Sequence, residues 1–255
     1  ILKNLKSKEL DWDFIIKLST KHYVLPALYC NLKRLGFLKH IDNNLVSYMK
    51  YLTDLNKERN SKIILEVQEI NSLLQSNKIK PIFIKGASNL VEGLYDDISE
   101  RMTTDIDFLC SKEDYPKAIK VLSDNGYIKL NNTKYDLPEF THYPRLINKN
   151  KVAGVEVHKE LIIENYVKEF NHEIVLKKIQ KINGINVLSF QHQLAMSIIA
   201  DQINDHGFQY NRIALRNAYD VYLLSKRVDA KVLIPKFNKL MSPLNCFLAI
   251  CYVSF

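Results

Sequence analysis

The sequence predicts an α/β (α+β) fold in which a small mixed β-sheet lies between a helical N-terminal region and a helical C-terminal tail. Three observations predict it. Apolar residues recur at helical spacing from Asp11 to about Ser76, short β-branched or alternating segments begin at Lys80, and helical spacing returns from Gln191 onward. We therefore expect a helical region over residues 1–79, an α/β core over 80–188 and a second helical region over 189–255.

Within the first region, Asp11-Trp12-Asp13 opens one amphipathic helix and residues 24–35 form a second, which ends at Gly36. A long third helix begins at Asp42. Its apolar stripe is interrupted by the polar residues 56–60, which indicates either a break in the helix or an exposed turn.

The core should begin with a strand, because Pro81-Ile82-Phe83-Ile84 is short and rich in β-branched residues and runs into a Lys85-Gly86 turn. A helix over 87–95 follows. The alternation of polar and apolar residues over 104–110 predicts a second strand. Further elements are a helix that starts near Ser111 and ends at Gly126, then strands over 127–130, 140–147 and 152–158. The last region should contain helices near residues 191–204, 211–226 and 229–240.

Composition fits a folded globular protein, with 255 residues of which 47% are hydrophobic and 25% charged. No apolar run approaches the roughly 18 residues of a spanning helix, and residues 1–10 lack the apolar stretch of a secretory signal. The four cysteines are scattered among apolar neighbours without zinc-ligand spacing, which predicts buried free thiols. We accordingly expect a cytoplasmic protein with no membrane partner.

The formal net charge is +8, and the middle third of the chain is its acidic part. A basic frame around an acidic centre is typical of a carboxylate metal site that receives a phosphate-bearing substrate. A lysine-rich surface without a ligand explains the same distribution.

The acidic residues of the predicted strands are the main candidates for chemistry. Asp105 and Asp107 stand two apart in one strand, so both side chains leave the same face. Glu156 lies in a later strand, and pairing of the two strands would bring the three carboxylates together. Such carboxylates favour a hard divalent ion, Mg²⁺ or Mn²⁺, and support phosphoryl transfer. A solvated strand face is the alternative.

Cationic and small residues nearby are candidates for binding phosphate. Lys85, Gly86 and Ser88 lie at a strand-to-helix turn, where backbone N–H groups attract anions, and Arg101 adds a planar guanidinium. His158 shares the face of Glu156 and is expected to orient a carboxylate or contact a phosphate, unless it only packs. His142, on the preceding strand, lies close enough in sequence to join it.

Two segments resemble the bacterial "uncharacterised nucleotidyltransferase" family of the DNA polymerase β superfamily. They are Phe83-Ile84-Lys85-Gly86-Ala87 through Arg101-Met102-Thr103-Thr104-Asp105-Ile106-Asp107-Phe108-Leu109, and Val155-Glu156-Val157-His158-Lys159-Glu160-Leu161. The resemblance implies a palm-type mixed sheet that binds an NTP and Mg²⁺ and transfers a nucleotidyl group. It also implies that Asp105, Asp107 and Glu156 are the catalytic metal ligands.

The phosphate turn departs from the superfamily pattern, because Gly86 is followed by Ala87 and Ser88 comes one place later. The segment from Arg101 to Asp107 also resembles the nucleotidyltransferase toxins of abortive-infection and toxin-antitoxin systems. A catalytically weak protein that acts through a protein partner is therefore the alternative function. The basic tract from Lys226 to Lys239 leaves RNA open as an acceptor, although a solvated helix face explains it as well.

Overall fold

The structure is a computed structural model that describes residues 10–130 and 141–254. The N-terminal region is helical as predicted, with α1 at Trp12–Lys21, α2 at Leu25–Arg34 and α3 at Asn43–Ser76. Asp11 and Asp42 cap α1 and α3, because their carboxylates accept hydrogen bonds from backbone N–H groups of the first turn.

The polar stretch does not break α3, so that interpretation was wrong, and the exposed turn holds only for Lys57 and Glu58. Asn56 and Asn60 are buried, and their amide groups donate to backbone carbonyls of the loop 98–101. Asn60 Nδ2, for example, lies 2.7 Å from Arg101 O. These asparagines interrupt the apolar stripe because they anchor the loop that leads into the second strand.

Seven strands form one mixed sheet in the described residues. Their order is β3-β4-β5-β2-β1-β7-β6, and the central pairs are β2 with β5, parallel, and β1 with β2, antiparallel. The strands are β1 at Ile82–Ile84, β2 at Asp105–Leu109, β3 at Ile128–Lys129, β4 at Leu146–Ile147, β5 at Gly154–His158, β6 at Ile179–Ile182 and β7 at Ile185–Leu188.

Two parts of the sheet differ from the sequence-based expectation. The strand expected over 140–147 is reduced to β4 and a single bridge from His142 to His158, and Phe140 lies outside the described residues. The hairpin of β6 and β7 was not predicted. Asn183 and Gly184 connect these strands, and both have positive φ, as a two-residue hairpin turn requires.

Further helices follow the strands: α4 at Lys85–Val91, α5 at Tyr115–Asp124, α6 at His172–Leu176, α7 at Phe190–Ile199, α8 at Leu215–Ser225, α9 at Ala230–Leu233 and α10 at Met241–Ser254. α7 continues as a π-helical turn over Ala200–Asn204. The helix expected over 229–240 is shorter and gives way to a 3-10 turn at Pro235, and α10 was not predicted separately. No helix in the described ranges has both the length and the apolar character to cross a membrane.

The sheet buries one apolar face beneath the site. Phe83 and Phe108 face each other across β1 and β2 with ring centroids 5.7 Å apart, and Ile106, Val155 and Val157 are buried beside them. Burial of each such side chain contributes about 1.5–3 kcal/mol. Because side chains alternate along a strand, this packing directs Asp105, Asp107 and Glu156 to the opposite face.

Three of the four cysteines are buried free thiols, as expected: Cys30, Cys110 and Cys251. Cys246 is also free, but it is exposed, so the expectation of burial was wrong for this residue. It lies on α10, and the apolar neighbours that suggested burial pack on other faces of that helix.

Candidate active site

The parallel register of β2 and β5 brings the acidic residues together. Asp107 pairs directly with Glu156, and Asp105 pairs with Gly154. Ligand atoms of Asp107, Glu156 and His158 all lie within 4.8 Å of one another. Glu156 therefore lies beside the two aspartates, as the sequence-based hypothesis of strand pairing required.

Asp107 is the most deeply buried of the three acids and has two partners. Lys85 Nζ donates to its Oδ1 at 2.5 Å, and His158 Nε2 lies 2.8 Å from the same oxygen. A carboxylate only accepts, so Nε2 carries the proton and His158 orients Asp107. The side chains of Asp107 and His158 are each 2% exposed, whereas that of Lys85 is 25% exposed. Lys85 therefore reaches solvent from the buried acid.

Asp105 and Glu156 share one guanidinium. Arg145 Nη2 donates to Asp105 Oδ2 at 2.5 Å and to Glu156 Oε1 at 2.9 Å, and Arg145 Nε donates to Glu156 Oε1 at 3.0 Å. Glu156 Oε2 has no hydrogen bond to the described residues, and His142 Nε2 and His158 Nε2 lie 3.9 Å and 4.0 Å from it. Its second oxygen is therefore free to bind a ligand.

The three carboxylates differ in their titration because their surroundings differ. Burial raises the pKa of Asp105 and of Glu156, and the nearby charge of Asp107 raises both further. Burial also opposes ionisation of Asp107, but the charge of Lys85 and the hydrogen bond from His158 outweigh it and hold the pKa of Asp107 well below its usual range. Asp107 is thus the most acidic carboxyl of the three.

His158 is neutral at physiological pH. Burial lowers its pKa to about 4, and the charge of Lys85 acts in the same direction. Its Nδ1 atom is buried and has no hydrogen-bond partner in the described parts of the chain. A neutral imidazole with one free nitrogen is the form in which histidine binds a metal ion.

These acids lie in a cavity of about 720 Å³ between the sheet and the C-terminal helices. The sheet side carries the acids together with Lys85, His158 and Arg145. The helical side is formed by α7, its π-helical extension, the residues that follow it and α8. These contribute Ser197, Ala200, Asn204, Asp205, His206, Arg216, Asn217 and Asp220. Tyr23 lies at this side too, with Arg216 over its ring at 5.2 Å.

The other sequence-predicted binding residues are divided between the cavity and the interior. Gly86 lines the cavity, and a Cβ there would lie 3.0 Å from Thr103 Oγ1, so glycine permits close packing. The positive φ of this turn belongs to Lys85, not to Gly86. Ser88 is fully buried and donates to Lys85 O, away from the cavity. Arg101 reaches the cavity wall, but its Nε donates to Asp220 Oδ2 at 3.0 Å.

The donor set fits a divalent cation. Three carboxylates converge with only two cationic side chains paired to them, Lys85 and Arg145, among the described residues. Carboxylate oxygens are the ligands that Mg²⁺ and Mn²⁺ prefer. Glu156 Oε2, which has no hydrogen bond to the described residues, lies 4.0 Å from His158 Nε2 and is a further ligand atom at the same place.

Several site residues were missed by the sequence analysis, above all Arg145, Thr103, Asp205 and Arg216. Arg145 precedes a very short strand and had no motif of its own. Its only sequence signal was its place in the strand expected over 140–147, which a short turn joins to the strand of Glu156. The residues on the helical side come from a region where no spacing pointed to chemistry.

A sequence model of the family described as "Uncharacterised nucleotidyltransferase" matches residues 8–254. The chain belongs to this family. The match covers the N-terminal helices, the sheet and the C-terminal helices, so the chain carries the family's sequence pattern over nearly its whole length. Family membership identifies it as a transferase. No curated protein matches it by sequence.

Solved structures with a similar course of the chain are nucleotidyltransferases or resemble them. The solution structure of the antibiotic-resistance factor ANT(2'')-Ia has a TM-score of 0.48 at 9% identity and covers 76% of this chain and 95% of that one. The crystal structure of ANT(2'')-Ia with adenylyl-2''-tobramycin has a TM-score of 0.47 at 10% identity and covers 73% of this chain and 97% of that one. The crystal structure of an antigenic nucleotidyltransferase-like protein from Paracoccidioides brasiliensis has a TM-score of 0.47 at 17% identity and covers 74% of this chain and 86% of that one. Likenesses this distant carry no information on the acceptor.

Proposed function

We propose that this family member is a Mg²⁺-dependent nucleotidyltransferase that moves a nucleotidyl group from an NTP to an acceptor bound in the same cavity. The observation that carries the proposal is the direct pairing of Asp107 with Glu156 across β2 and β5, with Asp105 on the same face. Asp105, Asp107 and Glu156 would hold the metal ions. Divalent ions bound there would supply charge stabilisation for the attacking and the leaving oxygen in phosphoryl transfer.

The protein's own residues prepare this site. His158 fixes the orientation of Asp107 through the 2.8 Å hydrogen bond, and its lowered pKa keeps it from adding a positive charge beside the ligands. Lys85 presents its ammonium group at the cavity surface, where it is placed to contact an anionic triphosphate. Gly86 lets that phosphate approach the backbone at the same turn.

Two residues expected to bind the nucleotide have other contacts. Arg101 is paired with Asp220, and Ser88 is turned into its own helix. We assign the cationic contact to Lys85 and assign Arg101 to the wall that closes the cavity. The acceptor would enter between this wall and the acids, on the side of Asp205 and Asn217.

The first test is calorimetric titration of Mg²⁺-ATP and the other Mg²⁺-NTPs into the wild type and Asp107→Ala. We expect the variant to lose measurable binding, because it removes the central carboxylate of the cluster, which contacts both Lys85 and His158. Asp124→Ala is the matched control. It removes an equally charged but exposed acid of α5 and should bind like the wild type.

Equal binding by Asp107→Ala and the wild type, with both variants folded by circular dichroism, would refute the metal assignment. A second measurement follows the label of an α-³²P-NTP onto added RNA, protein or small molecules. Metal and NTP binding without any transfer would instead favour the catalytically weak protein that acts through a partner.

A further inference from the structure

Arg145 contacts the two acids that Lys85 and His158 leave unpaired. One of its nitrogens, Nη2, lies between Asp105 Oδ2 and Glu156 Oε1, at 2.5 Å and 2.9 Å. The guanidinium thus joins two carboxylates on neighbouring strands, which is the position of a bridging cation. The Arg145 side chain is 37% exposed, so it can leave this position toward solvent.

Gly154 makes this position available. It pairs with Asp105 across the strands, and a Cβ at this residue would lie 2.7 Å from Arg145 Cδ and 2.9 Å from Arg145 Cγ. Real Cβ atoms do not approach other carbons so closely, so any other residue here would displace the arginine stem. Gly154 has no positive φ, so its backbone conformation does not itself demand glycine. Glycine at this position therefore leaves room for the side chain of Arg145.

We propose that Arg145 is a built-in competitor of the divalent ion, which must displace the guanidinium from Asp105 and Glu156 before it can bridge them. The inference rests on the proposed metal site. Without an incoming ion, Arg145 neutralises the repulsion between the two acids and holds β2 and β5 together at the site. With the guanidinium in place, Asp107 and the free Oε2 of Glu156 remain for a first, weaker contact.

Competition has a consequence for the order of binding. Metal binding to the free protein has to offset the loss of three hydrogen bonds from Arg145, so affinity for the bare ion is reduced. An ion that arrives with a nucleotide brings phosphate oxygens to which the released guanidinium can bind. The protein should therefore bind the metal-nucleotide complex in preference to the bare metal.

The test measures Mn²⁺ affinity by electron paramagnetic resonance in the wild type, Arg145→Met and Gly154→Ala. We expect Arg145→Met to bind Mn²⁺ about tenfold more tightly. Gly154→Ala keeps every charge but pushes the arginine stem away, so it should shift the affinity in the same direction. It also provides an independent reading if Arg145→Met fails to fold.

Arg216→Met is the charge control. It removes a positive charge from the same cavity, but the hydrogen bond of Arg216 goes to Met102 O and not to the acids. Its effect on Mn²⁺ affinity should stay within about threefold. Mn²⁺ should also raise the melting temperature of Arg145→Met more than that of the wild type, because the ion restores the bridge that the variant lost.

The outcomes separate this inference from the proposed function. Tight Mn²⁺ binding of equal strength in the wild type, Arg145→Met and Gly154→Ala would overturn the competition and leave the metal site standing. Absence of Mn²⁺ binding in every variant would overturn the metal site and the competition together. If Mn²⁺ affinity increased as much in Arg216→Met as in Arg145→Met, the effect would come from loss of any positive charge in the cavity. That result would overturn the specific role of Arg145.

Discussion

Two charged groups line the same cavity, and they differ in how completely their polar atoms are paired. The acid cluster of Asp105, Asp107 and Glu156 has more carboxylates than cationic partners and keeps free ligand atoms. On the opposite wall, both oxygens of Asp220 are bonded. Tyr95 donates to Oδ1 at 2.7 Å and Arg101 donates to Oδ2 at 3.0 Å.

This difference in pairing distinguishes residues that stabilise the fold from residues that can bind a ligand in the same cavity. In the Asp220 group the charges are matched and both carboxylate oxygens are bonded, so removal of this carboxylate mainly affects folding. Surplus like charges oppose folding and persist where a cation offsets them. We therefore assign the Asp220 group to stability and the acid cluster to chemistry.

The largest expected effect breaks the Asp220 group. Asp220→Asn leaves the buried Arg101 guanidinium without its counter-charge, and we expect the free energy of unfolding to fall by about 3–5 kcal/mol. Urea denaturation measures it. Asp105→Asn should change stability by less than about 1 kcal/mol, since it relieves repulsion as well as losing a bond to Arg145. Comparable losses in the two variants would erase the distinction between the groups.

A second variant separates ligand orientation from folding at the acid cluster. His158→Gln removes the imidazole that orients Asp107, and loss of such a support typically lowers metal affinity by about 10–100-fold. Mn²⁺ titration in the folded variant measures the loss. Asn125→Gln, a substitution of an exposed amide, is the control. Wild-type Mn²⁺ affinity in His158→Gln would show that Asp107 does not depend on the hydrogen bond.

The support of Arg101 by α3 gives a third prediction. Asn60→Ala removes the side-chain donor to the buried carbonyl of Ile98 and leaves the carbonyl of Arg101 with Asn56 alone, so stability should fall by about 1–3 kcal/mol. Because Asn60 and Asp220 hold the same arginine, Asn60→Ala and Asp220→Asn should combine non-additively. The stability losses of Asn60→Ala and Asp107→Asn should instead be additive in the double variant. The reverse pattern in urea denaturation would place Arg101 in the acid cluster.

The smallest expected effect is a pH dependence of stability. Burial lowers the pKa of both His158 and His192 to about 4, against an ordinary value of 6.5. Between these values the unfolded chain binds a proton that the folded chain does not, so stability decreases as pH falls from 6.5 toward 4. Each histidine should contribute about 1 kcal/mol between pH 6.5 and 5.5.

Single variants resolve the two histidines. His158→Gln and His192→Gln should each flatten the stability profile, whereas only the first should alter Mn²⁺ affinity. The raised pKa values of Asp105 and Glu156 act with the opposite sign, so the difference from the wild type is the quantity to compare. An unchanged profile in His158→Gln would mean that this histidine titrates in both states alike.

Local patterns predicted the elements of this fold better than their contacts. The alternation around Asp105 and Asp107 determined a shared face, because a strand has a period of two residues. The adjacency of Glu156 depended on a parallel pairing between distant segments, which no local period encodes. Arg145 was missed for the same reason, since its role follows from its position beside Glu156 and Gly154 on the neighbouring strand.

Some misses had signals in the sequence. Ile182-Asn183-Gly184-Ile185 contains the Asn-Gly pair typical of a two-residue hairpin, and it marks the β6–β7 turn. The polar residues 56–60 in α3 were misread because buried asparagines that bind a loop have the same pattern as an exposed turn. Only the packed structure distinguishes them. The domain boundaries at residues 79 and 188 stay a prediction.

The parallel pairing of β2 with β5 also governs when the site can form. Asp107 and Glu156 are neighbours in space, yet the segment between them has to fold back before β5 can dock beside β2. Closing the long loop between β2 and β5 costs chain entropy before the stabilising contacts between the two strands have formed. We therefore expect this step to be among the slow steps of folding. During synthesis, the acids of β2 emerge well before their partner. The candidate metal ligands therefore come together only after the chain as far as His158 has left the ribosome.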